Sequence, residues 1–307
     1  MLFLLETVIS GLMAGVMYSL VALGFVLIFK ASGIFNFAQG VFALFAGLAL
    51  YDFISTEGWF YELFGFALPA WLGIIATMGV MVIVAWLVEF LVLRHLVNQE
   101  PIILFMSTIG LAYFLEGLGD VLFGSDVKPL DIGLPQGAAD YLLDNYNLYV
   151  EKLEVVAAVV AAVLVIVLAV FFQKTRIGRA LRAVADDHQA ALSVGISLRT
   201  IWVIVWSVSG FVALVAGVMW GSKSGIQFSL SLIALKALPV LILGGFTSVP
   251  GAIIGGLIIG VGEKVAEVYA GPFVGGAIEN WFAYMLALGF LLIRPQGLFG
   301  EKIIERV

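Results

Sequence analysis

Apolar stretches broken by short polar segments run the length of the chain, at 5–29, 36–54, 69–93, 101–123, 153–173, 200–221, 230–245, 250–268 and 276–293. The first contains TVISGLMAGVMYSLVALGFVLIF (7–29), which carries no charge. As a helix its 23 residues extend about 35 Å, enough to cross a hydrocarbon core about 30 Å thick with some tilt. The stretches are continuous and lack the period-two alternation of a membrane β-barrel. The pattern therefore predicts an all-α polytopic membrane protein with about eight or nine transmembrane helices. Pro69 and Pro101 open two of the stretches, where a missing N–H costs a helix nothing. The segment 230–245 is interrupted by Lys236 and Pro239 and closed by Gly244-Gly245. It reads as a short, broken or re-entrant element, which leaves the crossing number between eight and nine.

Composition agrees with this picture. The chain is 63% hydrophobic and only 12% charged, about half the charge of a soluble domain. It has no cysteine, so disulfides, thiolate catalysis and Cys-metal sites are excluded. Its two histidines, His95 and His188, stand in no metal-ligand spacing. GVGEKV (260–265) only superficially resembles a phosphate-binding loop, and no Ser-His-Asp set can be assembled. The residues argue against an enzyme, and against ATP hydrolysis by this chain itself.

Charges at the ends of the stretches set the expected orientation. The 173–199 connection carries Lys174, Arg176, Arg179, Arg182 and Arg199, whereas 124–154 is dominated by Asp126, Asp131, Asp140, Asp144, Glu151 and Glu154. By the positive-inside rule the first is cytoplasmic and the second external, with Arg94, His95, Arg294, Lys302 and Arg306 inside. The N-terminus then lies outside and the C-terminus in the cytoplasm, for which nine crossings fit. The first stretch has no basic residue before Lys30, so it reads as a retained membrane helix and not as a cleaved signal. The whole chain, 1–307, forms one transmembrane domain with a coupling loop at 174–199 and an external loop at 124–152.

Small residues mark expected helix contacts. Gly11–Gly15, Gly251–Gly255, Gly256–Gly260 and Gly271–Gly275 are GxxxG pairs, and PGAIIGGLIIG (250–260) is the densest. Such pairs allow the close backbone approach that joins helices in lipid. Among ionisable groups, Glu89 lies near Arg94, and Glu116 and Asp120 either line an outer vestibule or mark a helix end. Glu263, Lys264 and Glu267 are expected to neutralise one another. Lys236 either caps a broken helix or faces a cavity. No carboxylate chain of the kind a proton-coupled carrier needs crosses the membrane.

Two polar stretches carry the functional reading. TRIGRALRAVADDHQAALSVGI (175–196) predicts helix entry after Gly178, with Ala180, Leu181, Val184 and Ala185 on one side. Asp186-Asp187 opens a second helical turn, and Gly195 stops it. A compact, small-residue-rich pair of this kind suits a groove on a cytoplasmic partner; the alternative is a helix lying on anionic lipid. ASGIFNFAQG (31–40) places Ser32, Asn36 and Gln39 between two apolar runs. Ser32 and Asn36 can cap backbone at a turn leading into a helix that starts near Asn36. Gln39 is not needed for capping, so Asn36 and Gln39 either line the inner part of a path or serve the turn alone.

GVMYSLVALGFVLIFKASGIFNFAQG, GRALRAVADDHQAALSVGI, ILGGFTSVPGAIIGGLIIG and IRPQGLFG follow one another from residue 15 to 300. Together they resemble the LivH-type permease subunits of branched-chain amino-acid ABC importers. The resemblance implies a type II importer permease fold with a cytoplasmic coupling helix, in a bacterial inner membrane. It also implies a homologous second permease as heterodimer partner, two cytoplasmic ATP-binding subunits that hold ATP-Mg, and a periplasmic substrate-binding protein. No cofactor is then bound by this chain, and no nucleic acid is a partner.

By the same resemblance Gly178, Arg179, Arg182, Asp186, Asp187, Ala190 and Gly195 belong to the loop that couples to the ATPase. Gly244, Gly245, Ser248, Gly251, Gly255 and Gly256 form a packed glycine-rich turn, with Thr247 where glycine is usual. Ser32, Asn36, Gln39 and Lys236 are candidates for the translocation path. Gln39 replaces a histidine common in the family, and an amide does not titrate. The expected function is import of branched-chain or related amino acids by alternating access. Relatives carrying urea, short amides or other small solutes, a self-contained channel or secondary carrier, and a non-transport membrane scaffold are the alternatives.

Overall fold

The structure, a computed structural model, describes residues 2–96, 99–186 and 188–300. In chain order the helices are α1 (Leu2–Ser32), α2 (Gln39–Ile54), α3 (Trp59–Phe64), α4 (Ala70–Leu91), α5 (Pro101–Phe123), α6 (Asp140–Tyr146) and α7 (Lys152–Lys174). They continue with α8 (Arg176–Asp186), α9 (His188–Ser193), α10 (Leu198–Ser224), α11 (Ile233–Gly244), α12 (Val249–Tyr269), α13 (Gly271–Val274) and α14 (Glu279–Ile293). Among the described residues there is no β-strand, only the bridges Lys128–Ile226 and Ala138–Glu151. Seven helical segments are long and apolar enough to span a membrane, and two shorter apolar ones cover Phe228–Gly244 and Trp281–Ile293. These match the apolar stretches of the sequence one for one. The short helix α11 extends about 18 Å, too little to cross the hydrocarbon core alone.

Local chemistry sets the helix ends. Gly33, at φ 67°, ends α1 and donates its N–H to the Phe29 carbonyl at 2.8 Å. Ser32 Oγ donates to the Ile28 carbonyl and accepts the Ile34 N–H, and Asn36 Oδ1 accepts the Ala38 N–H at 3.1 Å. Both residues therefore satisfy turn backbone, as expected. The helix begins at Gln39 and not near Asn36, because that side chain holds its own segment in a turn. Beyond α2, Asp52 caps α3 by accepting the N–H groups of Trp59 and Phe60.

The chain divides into two compact units. In the unit formed by residues 27–132 and 166–232, α2 is the buried centre, packed on α4, α5 and α10. Phe42 meets Trp206 edge-on at 5.7 Å between ring centroids. A Cβ on Gly217 of α10 would run into the carbonyl of Ala43, so the two backbones touch only because that position is glycine.

In the other unit, from residues 1–26, 133–165 and 233–307, α12 presents two glycine faces. Gly256 and Gly260 lie against the backbone of Gly15 and Gly11 in α1, while Gly251 and Gly255 lie against Gly244 and Val240 of α11. The expected pairs at 11–15, 251–255 and 256–260 are thus helix contacts. Gly271–Gly275 is not: it spans the four-residue α13, and Gly275 caps it at φ 90°. That segment is too short to offer a ridge to another helix.

Pro239 lies inside α11 and cannot donate to the Leu235 carbonyl four residues earlier. The Tyr284 hydroxyl of α14 supplies that bond at 2.6 Å, so the expected break is bridged by a neighbouring side chain. The external loop expected at 124–152 contains α6 and is closed by the Lys152–Asp140 ion pair at 2.7 Å. Hydrogen bonding and charge from Lys152 hold the Asp140 carboxyl below the usual carboxylate range.

Candidate functional site

The connection after α7 is a built helical element. Thr175 Oγ1 accepts the Gly178 N–H at 2.9 Å and donates to the Phe171 carbonyl at 2.7 Å, and α8 starts at Arg176, before the expected entry after Gly178. Gly178 sits against the carbonyls of Phe171 and Phe172, where a Cβ has no room. Leu181 and Val184 are buried toward α10, with Ala180 and Ala185 half-buried. Arg176, Arg179 and Arg182 are exposed at intervals of three residues, so they share the outward face.

After α9, the Ile196 N–H bonds to the Ala191 carbonyl and the Gly195 N–H to the Leu192 carbonyl, each at 3.0 Å. Gly195 has φ 84°, completing a Schellman stop at the residue the sequence marked. Leu192 and Val194 remain exposed beside it. Asp187 lies outside the described residues, as do the side chains of Asp186 and Ala190.

A polar knot joins α2 to its neighbours. Asn36 and Gln39 have no exposed surface. Gln39 Oε1 accepts the Ser209 hydroxyl at 2.8 Å and the Asn36 amide at 3.4 Å, and Gln39 Nε2 donates to the Ser209 carbonyl at 3.4 Å. On the other side, Thr108 of α5 accepts the Phe37 N–H at 3.0 Å and donates to the Phe35 carbonyl at 3.1 Å. The polar turn is therefore clamped between α5 and α10, closed to the surface in this conformation. Ser209 and Thr108, 170 and 71 residues from their partners, carried no local signal.

Two of the quoted stretches meet in space. Gly245 ends α11 at φ 100°, and the Leu298 and Phe299 N–H groups bond to the last carbonyls of α11, Leu243 and Gly244. A Cβ on Gly245 would lie 2.7 Å from the Gly300 nitrogen. Ser248 Oγ then accepts the Gly251 N–H at 3.0 Å and caps α12. RPQGLFG thus serves as the C-terminal plug of the turn that begins LGG.

The charges on α11 and α12 do not pair as their sequence positions foretold. Lys236 Nζ lies 2.8 Å from Glu263 Oε1, which also accepts the Tyr18 hydroxyl at 3.3 Å. Lys264 pairs with Glu279 at 2.9 Å, and Glu267 accepts the N–H groups of Ala277 and Glu279. Glu263 and Lys264 are adjacent and diverge by about 100° on the helix, whereas Lys264 and Glu267, three apart, could have met but instead take partners on the segment after α12. Glu263 is 1% exposed, its Oε2 has no hydrogen-bond partner, and the Lys236 side chain is 32% exposed. Elsewhere, Glu89 pairs with Arg94 at 3.0 Å as expected, Glu116 accepts a bond from Ser231 at 3.4 Å, and Asp120 is exposed. Among the described residues no group of three His, Asp or Glu side chains is placed to hold a metal ion.

Apolar helices of membrane length, glycine-seamed and joined by a short proline-containing helix whose Lys236 pairs with the buried Glu263, are those of a multi-pass membrane protein. A model of the family "Branched-chain amino acid transport system / permease component" matches residues 7–294. The chain belongs to that family and is a transport permease component of the inner membrane. It is 26% identical over 323 residues to the high-affinity branched-chain amino acid transport system permease protein LivH of Escherichia coli K12, covering all of this chain and 98% of that one. It is also 26% identical over 315 residues to BraD of Pseudomonas aeruginosa, named in the same terms, covering 99% and 98%. Among solved structures it is similar to a chain of PsaBC from Streptococcus pneumoniae in complex with Fab. That match has 14% identity, 92% and 89% coverage and a TM-score of 0.44, too distant to bear on the site.

Proposed function

We propose that this chain is one of two permease subunits of an ATP-driven importer and moves branched-chain or related amino acids handed over by an external binding protein. The observation that carries this reading is the α8–α9 element: one face buried toward α10, the other a row of arginines, with exposed Leu192 and Val194 beside the Gly195 stop. A helix packed on a long apolar helix while presenting cations and apolar side chains outward is suited to transmit a push from a docked partner. In this reading two ATP-binding subunits hold ATP-Mg and dock at residues 178–195, and a homologous second permease completes a heterodimer. The N-terminus lies outside, and the basic connection and the C-terminus lie in the cytoplasm.

The buried knot of Asn36, Gln39 and Ser209 borders the path as a polar joint between α2 and α10. Alternating access needs helices that shift between two packed arrangements, and hydrogen bonds buried in a joint hold one of them. Weak polar contacts, and not a tight site, suit a path whose selectivity resides mainly in the binding protein.

Replacing Arg182 with Ala, or Gly195 with Val, in the assembled transporter tests the coupling. The variants are expected to reach the membrane and assemble, while substrate-stimulated ATP hydrolysis falls to the basal rate. Normal stimulated hydrolysis in both would remove the coupling assignment.

A further inference from the structure

An ion pair within an apolar helix cluster is costly, and a single structural pair does not need an oxygen left bare. Lys236, Glu263 and Tyr18 meet from α11, α12 and α1, all within one compact unit. Glu263 is almost fully buried, yet only its Oε1 is engaged, and Oε2 accepts nothing. The Lys236 ammonium has three donors, one of which is given to Glu263. That side chain is also the exposed edge of the group, at 32%. The cluster therefore holds spare donors on its cation, at the exposed edge, and a spare acceptor on its anion that is covered in this conformation and that a ligand reaches only when the helices around it part. Glu263 stands six residues before the end of α12, about 9 Å along the helix axis from it. In the proposed orientation that is the outer half of the membrane.

We propose that this cluster is a station for the charged backbone of a zwitterionic amino acid, the carboxylate going to Lys236 and the ammonium to Glu263 Oε2. The proposal rests on the amino-acid permease reading above. Charge decides the ligand class. A metal cation or an amine would meet the Lys236 ammonium, and a simple anion would meet Glu263, whereas a zwitterion matches both at no change in net charge. A preformed pair also suits transit. It offsets the desolvation of both substrate charges, and when the substrate leaves it closes on itself, so no bare charge remains to hold the cargo.

A purely structural staple makes a different forecast. Removing both partners of a buried pair by groups of similar shape is close to neutral, whereas removing one is not. The test is ATP-driven uptake of radiolabelled leucine by proteoliposomes holding the complete transporter, with Lys236→Met, Glu263→Gln and the double variant. A station predicts that the double variant assembles normally but takes up leucine about tenfold more slowly or worse, the effect of losing one or two charge-assisted hydrogen bonds. Uptake in the double variant within about twofold of wild type would overturn the proposal.

Failure of the wild-type transporter to take up leucine at all would instead sink the amino-acid reading. A second measurement needs no variant. In the purified complex without binding protein, high leucine should raise the melting temperature, while isocaproate, which lacks the ammonium, should not. Equal shifts, or none with leucine, would also overturn the station.

Discussion

The Tyr284→Phe substitution probes how a proline is tolerated in α11. In the structure Pro239 leaves the Leu235 carbonyl without its helical donor, and the Tyr284 hydroxyl donates to it at 2.6 Å. Hydrogen bonds between membrane helices contribute about 0.6–1.7 kcal/mol, and an unsatisfied carbonyl in lipid costs more. Tyr284 is 39% exposed, so lipid headgroups or water can replace part of the bond, and a cost of about 1–1.5 kcal/mol is expected. The mechanism makes a sharper forecast in a double-mutant cycle. Pro239→Ala restores an N–H for the Leu235 carbonyl, and in that background Tyr284→Phe should cost under about 0.5 kcal/mol. The assay is reversible denaturant unfolding of the purified protein in bicelles, comparing wild type, both single variants and the double. Costs that add to within about 0.3–0.5 kcal/mol would refute the idea that Tyr284 stands in for the missing donor.

The glycine seam gives a steric prediction. A side chain at Gly15 meets the Gly256 carbonyl and Leu257 Cα, so Gly15→Val should cost about 1–3 kcal/mol or more and collapse the size-exclusion peak. Gly79→Ala, with open space around it, should leave that peak unchanged. Gln39→Leu removes partners from fully buried polar groups and should destabilise by about 1–3 kcal/mol, read by the same unfolding assay. Alanine at both Asn36 and Gln39 should leave assembly intact while lowering uptake; wild-type uptake would remove them from the path. The Asp140–Lys152 pair has an expected pH signature. Because the folded-state Asp140 pKa is lowered, its contribution is present above about pH 4 and is lost as pH falls through the depressed value. The protection of the Ala139 and Lys152 amides, which bond to Val150 and Gly137 across this loop, measured as exchange relative to the intrinsic rate at each pH, should fall on acidification in wild type and not in Asp140→Asn.

Features set by neighbours in the chain were readable from the sequence. The apolar runs foretold every membrane-length helix, because each is a continuous property of adjacent residues. Gly195 could be placed as a stop, since a left-handed terminus after an apolar turn is a local matter. The GxxxG pairs at 11–15 and 256–260 were recognised as contacts, although nothing in either stretch said they would meet each other. Partners supplied by the tertiary fold were not readable. Glu263, Lys264 and Glu267 looked self-neutralising because they are close in sequence, yet Lys236 and Glu279 reach them from 27 and 15 residues away. Similarly, Gln39 looked unexplained by capping, and its explanation is Ser209, on a helix 170 residues away whose serines give no sign of which neighbour they meet. Tyr284 gave no signal at all, because its role exists only beside Pro239.

The most direct test of the central claim is leucine uptake into proteoliposomes that hold ATP, comparing this chain alone with the chain plus its second permease, ATP-binding subunits and binding protein. Uptake confined to the complete set, and abolished when ATP is withheld, is the predicted result. Uptake by this chain alone, or uptake by the complete set without ATP, would contradict an ATP-driven permease subunit and favour a self-contained carrier.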